Sequence, residues 1–224
     1  MKDDGSNGQW VGQAYQEKAS GYDRSVGLFE IFSWFGFSIL DWRKQTIARL
    51  HLKAGDTVVD IGCGTGLNFP LLQRAVGPEG KIIGVDLSAE MLAEARQTAD
   101  ASGWNNVQLE CADAAAFDYP KNVDAILSTY ALILIPESGQ VVANACGALK
   151  PGGRFAVLDM AWPPYFPLWF RYVLFFLKSY GVDKAVLERR SWETVQAAMA
   201  EQLTDISLKK YWFQFFYLCC GQMA

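Results

Sequence analysis

Between Asp56 and Asp159 the chain alternates short apolar runs with longer stretches whose apolar residues recur every three or four positions. The short runs are TVVDIG, KIIGVD, VQLECAD, VDAILST and GRFAVLD. Apolar runs of this length, bounded by glycine and polar residues, predict buried strands. Strands alternating with helical stretches predict a parallel sheet covered on both faces, so the expected fold class is α/β. One intervening helix has legible ends. Ser88 precedes AEMLAEARQTADASG as an N-cap, Glu90 in the first turn suits the positive end of the helix dipole, and Gly103 is a natural C-terminal stop. Met91, Leu92 and Ala95 then share the buried face.

The flanks have a different texture. Residues 1–14 form a polar tail, and 15–54 are predicted to be mostly helical, with Gly21, Gly27 and Gly36 as breaks. After the core (55–160), AWPPYFPLWFRYVLFFLKSY at 161–180 is rich in aromatic and aliphatic side chains. Its prolines predict a helix start near Pro167. A membrane-spanning helix needs roughly 20 apolar residues, and this run is broken by Arg171 and closed by Lys178 and Ser179. It is expected to bury, cap a pocket or lie on a membrane rather than cross one. A polar stretch follows from Gly181 to Arg190, then a helix for which Ser191 is the expected cap. DISLKKYWFQFFYLCCG reads as two successive strands, which would add an antiparallel strand to the sheet. With no internal repeat or linker, residues 1–224 are expected to form one domain, with 161–190 as an apolar lid and 191–224 as the closing helix and strand pair.

Composition narrows the chemistry. A formal charge of -4 over 224 residues gives no broad positive field, which disfavours nucleic acid as a partner. Cys63, Cys111, Cys146, Cys219 and Cys220 have neither metal-ligand spacing nor an even count, so no metal site is expected and free thiols in a reducing compartment are. The N-terminus lacks the basic start and apolar stretch of a signal peptide, and a cytoplasmic location is the expectation.

The chemistry begins at VVDIGCGTGLNFP. A strand ends at Asp60, and Gly62, Gly64 and Gly66 follow at alternate positions before a helix. This puts a glycine turn at the carboxyl end of a strand, where open α/β sheets bind ligands. A backbone without Cβ admits close approach, and free N–H groups at a helix start attract anions. The dinucleotide pattern would need a third spaced glycine at Leu67, and no phosphate loop of the G-x-x-x-x-G-K-[ST] type occurs. The second strand ends in Asp86, whose carboxylate can accept from both hydroxyls of a ribose. Asp113, in CADAAAF, puts another carboxylate at the end of the third strand. The three together describe a nucleoside site.

This set resembles the S-adenosylmethionine-dependent methyltransferases of the Rossmann-like class. The matching elements, in the family's order, are DIGCGTG (60–66), VDLS (85–88), CADA (111–114), VDAILSTYAL (123–132) and LKPGGRFAVLD (149–159). The resemblance covers roughly Tyr22 to Gly221 and implies a doubly wound seven-stranded sheet of order 3-2-1-4-5-7-6 with strand 7 antiparallel. It implies S-adenosyl-L-methionine as cofactor and S-adenosyl-L-homocysteine as product. By position, Gly62, Cys63, Gly64 and Gly66 would pass beneath the methionine part with Asp60 nearby. Asp86 would hold the ribose, Leu87 and Met91 would flank adenine, and Asp113 with Ala114 would meet its amino edge. Ser128 and Tyr130 would face the sulfonium and the acceptor. Cys63 would contribute its carbonyl rather than a nucleophilic thiol.

Methyl transfer turns a sulfonium cation into a neutral thioether and needs neither metal nor covalent intermediate, so alignment, worth ~7 to 11 kcal/mol, is the protein's main task. The candidates for a catalytic role are Tyr22, Tyr130 and Asp159. His51, the sole histidine, precedes the first strand and so lies away from the carboxyl edge. Within the family the chain looks most like enzymes acting on lipophilic acceptors. Tyr22, Asp23 and Trp42 resemble the quinone-biosynthesis methyltransferases. That group, however, has Met-Asn where this chain has Arg24 and Ser25, and Glu-x-Ser where it has Asp159, Met160 and Ala161. GTGLNFPLL at 64–72 looks more like the phospholipid N-methyltransferases, and a phospholipid headgroup amine is the expected acceptor. The alternatives are a quinone ring carbon, a soluble phenol, amine or thiol, and a non-enzymatic cofactor-binding scaffold. Tyr15, Tyr22, Trp34 and Tyr130 are expected to line the acceptor side, the aromatic faces of Tyr15, Tyr22 and Trp34 suiting an ammonium. Residues 161–180 would roof it, with Arg171 and Lys178 available to anionic headgroups in peripheral membrane contact. A homodimer interface or ordinary helix-on-sheet packing is the competing use of that segment.

Overall fold

A computed structural model describes residues 37–165 and 184–224. The expected lid helix near Pro167 lies outside those residues, as does all but Phe37–Leu40 of the apolar run LFEIFSWFGFSIL at 28–40, which could line a hydrophobic entrance with it.

Seven strands form one sheet: β1 (Thr57–Ile61), β2 (Lys81–Asp86), β3 (Val107–Cys111), β4 (Val123–Thr129), β5 (Leu149–Met160), β6 (Thr204–Tyr211) and β7 (Phe216–Gln222). Their spatial order is β3-β2-β1-β4-β5-β7-β6. β1 to β5 run parallel, and β7 lies antiparallel between β5 and β6. This is the α/β sheet expected from the alternating runs, in the doubly wound order that the resemblance implies, with the closing strand pair at its edge.

The two-residue period of the strands divides the core. Val59, Ile61, Ile126, Phe155 and Val157 point to one face of the sheet, while Val58, Ala125, Leu127, Ala156 and Leu158 point to the other. On the first face they meet α4 (Ser138–Cys146) and α6 (Ser191–Gln202) through Val141, Val142, Ala145, Val195 and Met199. On the second they meet α1 (Ile39–Ala48), α2 (Phe69–Val76) and α3 (Ala89–Ala101) through Trp42, Ile47, Leu72, Val76, Leu92 and Ala95. Covering both faces is what lets the strands be apolar throughout.

Ser88 caps α3 as expected, its hydroxyl accepting from Met91 N at 3.2 Å. Gly103 follows the helix with φ +69°, and Trp104 N donates back to Ala99 O at 3.0 Å. The polar stretch contains a short helix, α5 (Lys184–Arg189), which buries Val186 and Leu187. One expectation is corrected. Ser191 is not the cap of α6 but its first residue. Arg190 holds the cap position in left-handed conformation (φ 52°), and the buried Ser191 hydroxyl is turned to Ile133 O at 3.5 Å. The left-handed Arg190 joins α5 to α6 without a loop.

Candidate functional site

The chain leaving β1 folds across the end of β2: Gly62 N and Cys63 N both donate to Val85 O, at 2.8 and 3.1 Å. Gly62, Gly64 and Gly66 all have positive φ, at +65°, +55° and +83°, a region that side chains other than glycine's enter at a cost. Their surroundings differ. A Cβ on Gly62 would lie 2.2 Å from Ala131 Cβ, and one on Gly66 would lie 2.6 Å from the Phe69 ring. Among the described residues, a Cβ on Gly64 would meet no atom within 4 Å. Gly62 and Gly66 therefore permit packing, whereas Gly64 presents bare backbone outward. The Cys63 carbonyl accepts from Gly66 N at 3.0 Å, and its buried thiol is pushed well above the ordinary range by desolvation and then by the charges of Asp60 and Asp86. That is the opposite of what a nucleophilic cysteine needs.

Asp86 ties the loop to the next strand. Its Oδ2 accepts from Gly64 N at 2.8 Å and its Oδ1 from Ser88 N at 2.9 Å. Burial raises its pKa, and the N–H groups of Ser88, Gly64 and Leu87 oppose that rise. The Asp86 carbonyl accepts from Ala112 N at 3.0 Å, which brings the end of β3 alongside. Leu87 projects beside Asp86 and is 54% exposed, while Met91 is buried in the first turn of α3. Asp113 lies two residues beyond β3, exposed, with Oδ1 accepting from Ala115 N at 2.9 Å. Ala114 is buried, and its carbonyl accepts from the Tyr119 hydroxyl at 3.0 Å. The turn at Gly64, the Asp86 carboxylate and the CADA segment thus converge at the carboxyl rim of β1, β2 and β3.

Beneath the loop is a buried polar cluster that the sequence did not reveal. Asn68 Nδ2 donates to both oxygens of Asp60, at 3.1 and 3.0 Å, and to Thr129 Oγ1 at 3.0 Å. Arg43, reaching in from α1, donates through Nη1 to Asn68 Oδ1 at 2.7 Å and to Thr129 Oγ1 at 2.6 Å. All four residues are buried. Burial pushes the Asp60 carboxyl up to about 7, while Asn68 and the Arg43 charge pull it down. The cluster ties α1, the glycine turn and the ends of β1 and β4 together.

On the other side of β1, Tyr130 follows β4 with φ +60°, its N–H donating to Leu158 O at 2.8 Å. The Arg43 guanidinium lies 5.1 Å from its ring centroid, and the Phe216 ring meets its edge at 6.0 Å. Phe37, Trp42, Trp212 and Phe216 continue the aromatic wall, with ring centroids 5.0 to 6.2 Å apart. Two expectations change here. The Ser128 hydroxyl does not face the acceptor side but donates to Ile61 O at 3.1 Å, inside the sheet. Asp159 is on the right edge but is fully buried, accepting from Ile133 N at 2.9 Å and Met160 N at 2.8 Å, with burial raising its pKa to about 7. It holds the loop after β4 rather than offering a carboxylate to an acceptor. His51 sits in the turn before β1, at the opposite edge. Tyr15, Tyr22, Trp34, Arg171 and Lys178 lie outside the described residues. Among the described residues no group of three or more His, Cys, Asp and Glu is placed to hold a metal, and no helix is long and apolar enough to cross a membrane.

The seven-stranded order is that of an α/β protein of the methyltransferase type. A family model described as a methyltransferase domain matches residues 52–214. The chain belongs to the S-adenosylmethionine-dependent methyltransferases of the Rossmann-like class. It is a methyltransferase enzyme, and S-adenosylmethionine is its cofactor. The demethylmenaquinone methyltransferase of Listeria welshimeri is 30% identical over 184 residues, covering 76% of this chain and 75% of that one. The geranyl diphosphate C-methyltransferase of Streptomyces coelicolor, solved with S-adenosyl-L-homocysteine, superposes with TM-score 0.68 at 16% identity, covering 82% of this chain and 79% of that one. A phosphoethanolamine N-methyltransferase from Haemonchus contortus gives TM-score 0.59 at 20% identity, covering 75% of this chain and 38% of that one. The two structures share the fold.

Proposed function

We propose that this methyltransferase, acting as a single domain over residues 1–224, methylates a ring carbon of a lipophilic quinol. The observation that carries the reading is the aromatic wall beside the cofactor rim, with Arg43 buried against its Tyr130. S-adenosylmethionine supplies an activated methyl group and leaves as the neutral thioether. The chain's own residues bind and align. Gly64 lets the methionine part approach the backbone, alongside Gly62, Cys63 and Gly66 and above Asp60. Asp86 accepts from the ribose hydroxyls, Leu87 and Met91 flank the adenine, and Asp113 with Ala114 meets its amino edge.

The buried guanidinium bears on the choice of acceptor. A headgroup amine is a cation both in its protonated form and as the quaternary product, and a fixed positive charge beside a low-dielectric pocket disfavours either. The same charge favours the phenolate of a quinol, whose ring carbon is then the nucleophile. Tyr130 cannot serve as an open face of an ammonium cage while Arg43 covers it. The 30% identity to a demethylmenaquinone methyltransferase supports the same acceptor class. With Asp159 committed to backbone N–H groups, no carboxylate base is assigned.

The test is incubation of the protein with isotope-labelled S-adenosylmethionine and detergent-dispersed demethylmenaquinol or, in parallel, phosphatidylethanolamine, with mass analysis of the products. The expected result is one methyl on the quinone ring. Label in the phospholipid alone would restore the amine expected from sequence, and label in neither would refute a lipophilic acceptor of these classes.

A further inference from the structure

The β6–β7 hairpin ends in a feature that neither the fold nor cofactor binding requires. Its tip, Trp212-Phe213-Gln214, has three successive residues in left-handed conformation, with φ 41°, 55° and 66°. None of them is glycine, and each pays a conformational cost in that region. The Phe213 ring stands outward, 71% exposed, and Trp212 is 38% exposed. Trp212 is anchored from behind by Phe37, Phe215 and Phe216, with centroids 5.0 to 6.2 Å away. Tyr165, 54% exposed, donates its hydroxyl to the Phe213 carbonyl and adds a third aromatic ring to the tip.

On the hairpin itself the charge beside these rings is basic. From Ser207 to Phe216 the sequence, SLKKYWFQFF, holds two lysines and no acid. Lys209 and Lys210 are exposed. Lys209 donates to Gln45 at 2.7 Å and lies 4.8 Å from the Tyr211 ring, and Lys210 donates to Gln214 at 3.0 Å. Lys44 on the neighbouring α1 is exposed as well, paired with Asp41 at 3.1 Å. Asp205 carries the nearest acid on β6 itself, at the far end of the strand. A basic collar around exposed aromatic rings in a protein of net charge -4 complements an anionic, amphipathic surface. Aromatic rings settle at the headgroup level, and flanking lysines extend to the phosphates.

Position gives the patch its use. Phe216 pairs with Met160 at the carboxyl end of β5, and Ala161 N donates to Phe215 O at 2.9 Å. The tip therefore stands at the same rim of the sheet as the Gly64 turn, and Phe216 connects it to the Tyr130 ring.

We infer that the β6–β7 tip, through Trp212, Phe213, Tyr165 and the collar of Lys209 and Lys210, docks on an anionic lipid bilayer and turns the acceptor side of the rim toward it. This deepens, and in its purpose rests on, the reading of a lipophilic acceptor.

The test is co-sedimentation of the full chain with vesicles of phosphatidylcholine containing phosphatidylglycerol, and with pure phosphatidylcholine vesicles. The wild type should partition to the anionic vesicles and lose much of that binding in high salt. Phe213→Glu should lower the partition coefficient by about tenfold or more, and so should the double reversal of Lys209 and Lys210 to Glu. Both variants should bind S-adenosyl-L-homocysteine as the wild type does, which establishes that they fold. Wild-type protein that ignores both vesicle types overturns the proposal, as does binding that neither variant weakens. If Phe213→Glu instead converts a dimer to a monomer in lipid-free sedimentation and leaves vesicle binding intact, the tip is an interface between copies and the proposal fails. None of these readouts depends on the acceptor. Quinol methylation in detergent with no vesicle binding would sink the docking and leave the quinol reading standing, and the reverse result would do the opposite.

Discussion

Gly64 N donates to Asp86 Oδ2 at 2.8 Å, so the turn after β1 and the acidic end of β2 form one hydrogen-bonded unit. The bond fixes the bare backbone of Gly64 beside a carboxylate, and a nucleoside with a charged amino-acid tail needs both together. Its neighbours in the turn do different work, and substitution should separate them.

Gly62→Ala would force a methyl into Ala131 and hold alanine at positive φ, with an expected loss of about 2 to 4 kcal/mol in urea denaturation. Gly64→Ala meets no atom of the described residues and should lose only about 1 kcal/mol, from its backbone conformation. Its methyl would instead occupy the outward face, so calorimetry should register weakening of S-adenosyl-L-homocysteine binding by more than about tenfold. Stability losses of equal size, with cofactor binding intact in Gly64→Ala, would mean that the bare face of Gly64 does not meet the cofactor.

Arg43→Met keeps much of the side-chain bulk but removes the guanidinium that donates to Asn68 and Thr129. Two buried acceptors then lose a charged donor, and Asp60 loses a compensating cation. The expected cost is on the order of 3 kcal/mol. That corresponds to a fall in melting temperature of about 6 to 12 °C for a chain of this size. A melting temperature within a degree or two of wild type would mean that the cluster contributes little to holding α1 against the loop.

Asp159 predicts a pH dependence. Burial raises its carboxyl from 3.8 to about 7, so the folded protein holds this proton where the unfolded chain has released it. Its contribution to stability therefore falls as pH rises from about 4 to about 7 and is level above that. The cost of Asp159→Asn, measured by urea denaturation, should be larger at pH 5 than at pH 8, the difference being on the order of 2 kcal/mol. A cost that stays constant or grows with pH would mean that the group is ionised in the native protein throughout.

What the sequence made legible was local. Alternating apolar runs identify β1 to β5, Ser88 and Gly103 mark the ends of α3, and DISLKKYWFQFFYLCCG reads as two successive strands. The order of the strands followed from the family resemblance rather than from any periodicity. The short α5 escaped because six residues carry too little periodic signal, and only tertiary burial of Val186 and Leu187 holds it. The Arg43 cluster escaped because Arg43 lies 25 and 86 residues from its two partners, on separate elements. The one available hint was an arginine beside Trp42 and Thr46 on the buried face of α1. Ser128 and Asp159 were placed at the correct edge but with the wrong outlook, since strand position fixes the edge and hydrogen-bond partners decide where a side chain turns.

The central claim is that the rim formed by Gly64, Asp86 and the CADA segment holds S-adenosylmethionine, and isothermal calorimetry of S-adenosyl-L-homocysteine with wild type and Asp86→Ala tests it most directly. The account predicts one site per chain in the wild type and a loss of at least about a hundredfold in the variant, as expected when charged hydrogen bonds to a ribose disappear. An Asp86→Ala protein that folds and binds with near-native affinity would contradict it.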